Sequence, residues 1–225
     1  MTIAGLEGRA RDLFLRVAFA TAAAITVLTF ALAQIQGGGL QVLLAASLAT
    51  SVAAGGAALC MLIQQQRLGV DGSLHPLDVA RWAGALLAAV VGPLLTAVLV
   101  LGVVWGIAMA IAPEASAGNL AGVGVAWLVV PMALLITGTA ALRTVAVAAG
   151  RPLDVREAIA LAEGQEWSLV PIGLGLAVAL LLTLAGVAGV ALGIAAASAA
   201  IVLGLVLLVP ASARMAMHAE RLGVR

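Results

Sequence analysis

Long apolar runs alternate with short polar connections along the whole chain. The runs fall at about 13–34, 40–63, 82–112 and 120–142, and a last uncharged stretch covers 168–213. Each is far longer than a strand and long enough for a membrane helix, which needs about 20 apolar residues to cross a hydrocarbon core of ~30 Å. The last stretch is too long for one span, so it divides near Gly186–Gly189 into spans at about 168–186 and 190–213. Six helices result. The third run exceeds the core thickness at ~1.5 Å of rise per residue, so it tilts or begins in the interface.

The connections between the runs differ in charge. All eleven basic residues are arginines, and they occupy alternate connections. Arg9 and Arg11 precede the first run and Arg16 lies in its first turn, before the unbroken apolar stretch that starts at Val17; Arg67 and Arg81 lie between the second and third. Arg143, Arg151 and Arg156 lie between the fourth and fifth, and Arg214, Arg221 and Arg225 follow the sixth. Cationic loops stay cytoplasmic. The distribution therefore predicts six spans with both termini on the cytoplasmic side.

Composition narrows the class further. Hydrophobic residues make up 64% of the chain and charged residues 9%, against about 25% charged in a soluble domain. Six helices and their connections use all 225 residues, so residues 1–225 read as one integral membrane domain. A net charge of +1 gives no reason to expect a nucleic-acid partner. Lysine and tyrosine are absent while glycine and alanine abound, which points to a GC-rich bacterial genome and so to a bacterial inner membrane. The single cysteine, Cys60, excludes an intramolecular disulfide and reads as a small buried residue of the second span. Arginines followed by an apolar run and Ala31-Leu32-Ala33 also resemble a secretory signal; the segment is read as a retained first span.

An internal repeat organises the middle of the chain. Pro76-Leu77-Asp78-Val79 recurs as Pro152-Leu153-Asp154-Val155. Upstream, Gly55-Gly56-Ala57-Ala58-Leu59 matches Gly138-Thr139-Ala140-Ala141-Leu142, and downstream Val91-Gly92-Pro93 answers Leu169-Val170-Pro171. Both copies run in the same direction, so the repeat is parallel. Each unit is a span, a cytoplasmic joint and a returning span. In the second joint Asp154 is expected to cap a helix, with Glu157 completing a capping box. That helix puts Val155, Ala158, Ile159 and Ala162 on one face and ends at Trp167, an interface anchor. Asp78 is expected to cap the first joint, where Arg81 replaces the glutamate.

Candidate chemistry inside the spans is sparse. Ionisable residues at membrane depth are costly and usually functional, but Arg16 and Arg143 lie at span ends, where arginine snorkels to the headgroups. The polar residues at depth are hydroxyls such as Thr21, Thr26, Thr29, Thr96, Thr137, Thr139 and Ser198, which usually bond to helix backbone. His75 and His218 read as solvated histidines outside the spans. No cofactor and no metal site are expected. Glycines four apart at Gly102/Gly106, Gly118/Gly122 and Gly189/Gly193 suggest close helix packing. Pro93 and Pro131 lie inside spans, where each removes a backbone donor; the pair is a candidate kink or gate.

Residues 134–167, through Gly138-Thr139-Ala140-Ala141-Leu142-Arg143 and Gly150-Arg151-Pro152-Leu153-Asp154-Val155-Arg156-Glu157-Ala158, resemble the membrane region associated with bacterial glycerophosphodiester phosphodiesterases and related multi-span families. The match covers about half the chain. The resemblance implies a membrane module without hydrolase activity, because the soluble phosphodiesterase domain is absent. The reading as a whole is an all-α, polytopic six-span bundle with a parallel repeat and interfacial amphipathic joints. The expected role is a non-enzymatic accessory or scaffold subunit, in contact with the bilayer and with other membrane subunits or itself. The alternative is a permease-like component moving an apolar or lipid-like solute.

Overall fold

The computed structural model describes residues 8–35, 38–70, 74–111, 115–151, 153–189 and 194–223. The described residues form seven helices: α1 (Gly8–Gln34), α2 (Gly39–Arg67), α3 (Pro76–Ile111), α4 (Ala115–Ala148), α5 (Val155–Ala162), α6 (Glu166–Gly189) and α7 (Ile194–Arg221). All but α5 are long and apolar enough to cross a membrane. The helices overrun the apolar runs at the arginine-bearing end. There α2 continues to Arg67, α3 starts at Pro76, α4 reaches Ala148 and α7 reaches Arg221. A helix satisfies its own backbone groups in water as well as in lipid, so the edge of the apolar run does not end it. Helix α6 ends at Gly189, at the edge of the expected Gly186–Gly189 division, and α7 begins at Ile194; residues 190–193 lie outside the described set.

At its N-terminus α3 departs from expectation. Proline lacks the donor that a first helical position does not use, and its fixed φ suits that position. The helix therefore opens at Pro76, with the His75 carbonyl oxygen accepting from the N–H groups of Asp78 (3.0 Å) and Val79 (3.1 Å). Asp78 is thus inside the first turn and does not cap the helix. Among the described residues the first joint has no separate helix, whereas the second has α5. Pro152, the repeat partner of Pro76, lies outside the described residues.

The second helix is the centre of the bundle. It packs against α1, α3, α4, α6 and α7, every other long helix. Residues 55–65 of α2 are buried all round. In lipid, apolar burial between helices brings little hydrophobic gain, and close packing supplies the attraction. Small residues allow that closeness, and they lie where the helices cross. A Cβ on Gly56 would stand 2.9 Å from a Leu205 methyl of α7, and one on Gly138 would stand 2.5 Å from the Leu169 carbonyl oxygen of α6. Gly173 faces back onto Leu134 and Gly138 of α4, and Gly186 faces Ala197 and Ile201 of α7.

The four-spaced glycines behave differently. Gly102, Gly106 and Gly189 have nothing within 4 Å of an added Cβ, so among the described residues they mediate no close packing. Gly118, Gly122 and Gly193 fall outside the positions whose surroundings are described. Along the same stretch Val98, Leu99, Val103 and Ile107 of α3 are exposed, as are Val123, Trp127 and Leu128 of α4. The halves of α3 and α4 away from the arginine end thus present a broad apolar surface. The fold is that of a multi-span membrane protein.

Candidate interface at the arginine-bearing end

Three helices are tied together by buried polar groups at this end. The Trp82 indole N–H of α3 donates to Gln64 Oε1 of α2 at 2.8 Å. Gln64 Nε2 reaches Thr144 Oγ1 of α4 at 3.4 Å, and the Thr144 hydroxyl donates to the Ala141 carbonyl oxygen at 2.6 Å. Trp82, Gln64 and Thr144 are all at most 2% exposed. A buried indole N–H or amide without a partner is costly, so these groups select one register among α2, α3 and α4. By sequence Gln64 falls in the polar connection of residues 64–81, whereas the structure keeps it in α2 and within this network. Its signal is the Gln64-Gln65-Gln66 run ending an apolar helix, opposite a tryptophan whose N–H needs an acceptor.

A second polar tie joins α6 to α7. His218 is buried in α7, and its Nε2 lies 3.2 Å from the Ser168 hydroxyl oxygen. Ser168 gives its own proton to the Gln165 carbonyl oxygen at 2.6 Å. The bond to the ring therefore needs a proton on Nε2, with serine as acceptor. His218 is a packed helix residue, which corrects the expectation of a solvated one, because α7 runs past the apolar boundary. His75 is exposed. Cys60 is fully buried, with Ser212 of α7 as polar neighbour.

The short helix α5 opens on Asp154, whose Oδ1 accepts from Val155 N at 2.6 Å; its side chain also accepts from the Glu157 backbone N–H while Glu157 Oε2 accepts from Asp154 N at 3.0 Å, and this reciprocal pair is a capping box. Ala158 and Ala162 are buried against the bundle, and Val155 and Ile159 are exposed beside them. The helix stops at Ala162, where Glu163 leaves the helical region (φ −56°, ψ 127°) and Gly164 follows in a left-handed conformation (φ 80°). Trp167 therefore lies in the first turn of α6, not at the end of the joint helix, and is 72% exposed. Val155, Ile159 and Trp167 suit an interface between lipid and water. Replacing Asp154 with alanine is expected to cost roughly 0.5–2 kcal/mol locally. Hydrogen exchange should then accelerate at residues 155–160 and stay unchanged in the spans; unaltered protection at 155–160 would refute the cap.

Pro93 and Pro131 are half-buried within α3 and α4, which continue past them. Pro171 and Pro210 also lie inside helices, α6 and α7. Among the described residues, clefts open at the seams of the bundle, four of them as follows. One, of about 560 Å³, lies between α4 and α5 and includes Thr139, Arg156 and Ile159. Another, of about 540 Å³, lies between α1 and α7 and includes Thr21, Thr26, Thr29 and Ser198. Arg151, Leu153 and Glu157 line a third, of about 390 Å³. The fourth, of about 240 Å³, lies between α3 and α4 and includes Arg81 and Arg143. None of these four includes Pro93 or Pro131.

Several hydroxyls at membrane depth bond back to their own helices. Thr26 donates to Ala22 O at 2.8 Å, Thr96 to Gly92 O at 2.9 Å, Thr137 to Ala133 O at 2.8 Å and Thr183 to Ala179 O at 2.8 Å. Among the described residues no three His, Cys, Asp or Glu side chains gather as a metal site would require. The arrangement is that of a multi-span helical membrane protein with its buried polar ties at one end. No protein-family model, curated protein or solved structure matches the chain.

Proposed function

We propose that this chain is a non-enzymatic accessory or scaffold subunit of a bacterial inner-membrane complex, multi-pass, with both termini cytoplasmic. The observation that carries this reading is how polar groups are used. Several hydroxyls at depth return to their own helix backbones, and the longer-range ties such as Trp82–Gln64 hold helix to helix. Such groups build a rigid body. The broad apolar faces of α3 and α4, with Trp105 and Trp127 exposed, offer that body to lipid or to other helices. The resemblance of residues 134–167 to a membrane module fits the same role. So does a duplicated origin for α2–α3 and α4–α6, since Gly55 and Gly138, which align in the repeat, both lie at close helix crossings, against Thr21 of α1 and Leu169 of α6.

The test is purification of the tagged chain from its native membrane in mild detergent, with mass spectrometry of what accompanies it. A stoichiometric membrane-protein partner is the expected result. The α1–α7 cleft, with four hydroxyls among apolar walls, favours a second reading, a permease-like component for an apolar or lipid-like solute. Movement of a labelled lipid across vesicles containing the purified chain alone would establish that reading and overturn the first.

A further inference from the structure

The cleft between α3 and α4 joins two kinds of surface. Arg81 and Arg143 line it from facing helices, and Leu153 closes it from the chain after α4. Arg143 is half-buried and donates through Nε to the Leu153 carbonyl oxygen at 3.3 Å. That bond uses Nε alone and leaves the two Nη groups for an anion. Arg81 makes a single contact of 3.3 Å with Asp78, and its side chain is 70% exposed. An exposed pair of this kind is weak and readily shared with a second acceptor. With two guanidinium groups and one carboxylate, the mouth of the cleft is net cationic.

Its floor is apolar and small. Gly84, Ala85 and Ala88 follow Arg81 at the spacing of one helix face. Gly84 and Ala88 are exposed, and a Cβ on Gly84 would meet nothing within 4 Å. Seven residues of helix separate the level of Arg81 from that of Ala88, about 10 Å at ~1.5 Å per residue. A headgroup layer is about 5–8 Å deep on each side of the hydrocarbon. A phosphate held at the arginines therefore puts the trough beside Ala88 at the start of the acyl region.

We propose that this cleft binds an anionic phospholipid, with Arg81 and Arg143 holding the phosphodiester and one acyl chain lying over Gly84, Ala85 and Ala88. Guanidinium forks match phosphate oxygens and shed water more easily than ammonium groups do. Basic pockets between membrane helices are recurrent sites for acidic headgroups. A free phosphate would use the arginines but not the trough beneath them. The proposal is independent of whether the chain serves as a scaffold or a permease.

The test is native mass spectrometry of the full chain in neutral detergent, incubated with phosphatidylglycerol or with phosphatidylcholine of the same acyl chains. Phosphatidylglycerol should be retained in preference. Arg143→Gln should lower its retention roughly tenfold, the size of one charge-assisted hydrogen-bonding group. Gly84→Leu fills the trough at an open position and should lower retention with the fold intact, which keeps the test decisive if Arg143→Gln fails to fold. Arg151→Gln, outside the cleft, should leave retention unchanged. Equal retention of the two lipids would overturn the proposal. So would unaltered retention in Gly84→Leu, displacement by inorganic phosphate alone, or an equal loss in Arg151→Gln.

Discussion

Replacing Trp82 with alanine is expected to destabilise the bundle more than any other single change at the arginine-bearing end. The indole is 1% exposed, and truncating a buried aromatic of this size costs about 3–5 kcal/mol. Gln64 Oε1 would also lose its donor at 2.8 Å, and an orphaned buried acceptor costs about 1–3 kcal/mol. Trp82→Phe separates the two effects, because it keeps most of the volume and removes the N–H. Its cost should be near the second figure alone. Adding Gln64→Leu to Trp82→Phe should recover part of that loss, since a pair of apolar groups leaves no unpaired acceptor. Survival of the monodisperse species after heating in mild detergent ranks the variants. Equal survival of Trp82→Phe and the parent chain would show that the indole bond contributes nothing.

A leucine at Gly173 is expected to push α6 away from α4. The position has no room, because a Cβ there already comes to 3.0 Å from Gly138 N and closer to the Leu134 carbonyl oxygen. The obstacle is backbone on a helix of the core, which cannot swing aside as a side chain can. Overpacking costs about 1–3 kcal/mol even where side chains can adjust. Leucine gains up to about 1 kcal/mol over glycine in helix propensity, so steric cost wins. Gly102→Leu is the matched control, with nothing within 4 Å; it collects the propensity gain with no clash. The same heating assay should show Gly173→Leu well below the parent and Gly102→Leu at or above it. Comparable stability of the two variants would remove the close α4–α6 crossing from the account.

The contrast between those glycines shows what was legible in the sequence. Regular spacing drew attention to Gly102 and Gly106, whereas the close crossings use Gly56, Gly138, Gly173 and Gly186, which share no simple interval. A helix crossing needs one small residue at one place on each partner, and its position depends on the tertiary angle. Span count was accessible because charge is excluded from the hydrocarbon, and every arginine marks the same end. Centrality of α2 was not accessible. In lipid the outward face of a helix is as apolar as the inward one, so no amphipathic pattern separates buried from exposed. Asp154 and Glu157 could be placed because a capping box is local chemistry. Asp78 was misplaced because Pro76 moves the helix start upstream by steric fit alone. The polarity of Gln64 and His218 suggests water-facing loop and tail positions, but helices α2 and α7 carry them past the apolar boundary to hydrogen-bonding partners, Trp82 and Ser168.

The most direct test of the account is the sidedness of all the connections. Paired reporters, one active only in the periplasm and one fluorescent only in the cytoplasm, would be fused after residues 37, 70, 113, 151, 191 and 225. Six spans with the arginines inside predict cytoplasmic signal after 70, 151 and 225 and periplasmic signal after 37, 113 and 191. Periplasmic activity after Arg225, or the same sidedness for two consecutive fusions, would contradict the six-span arrangement.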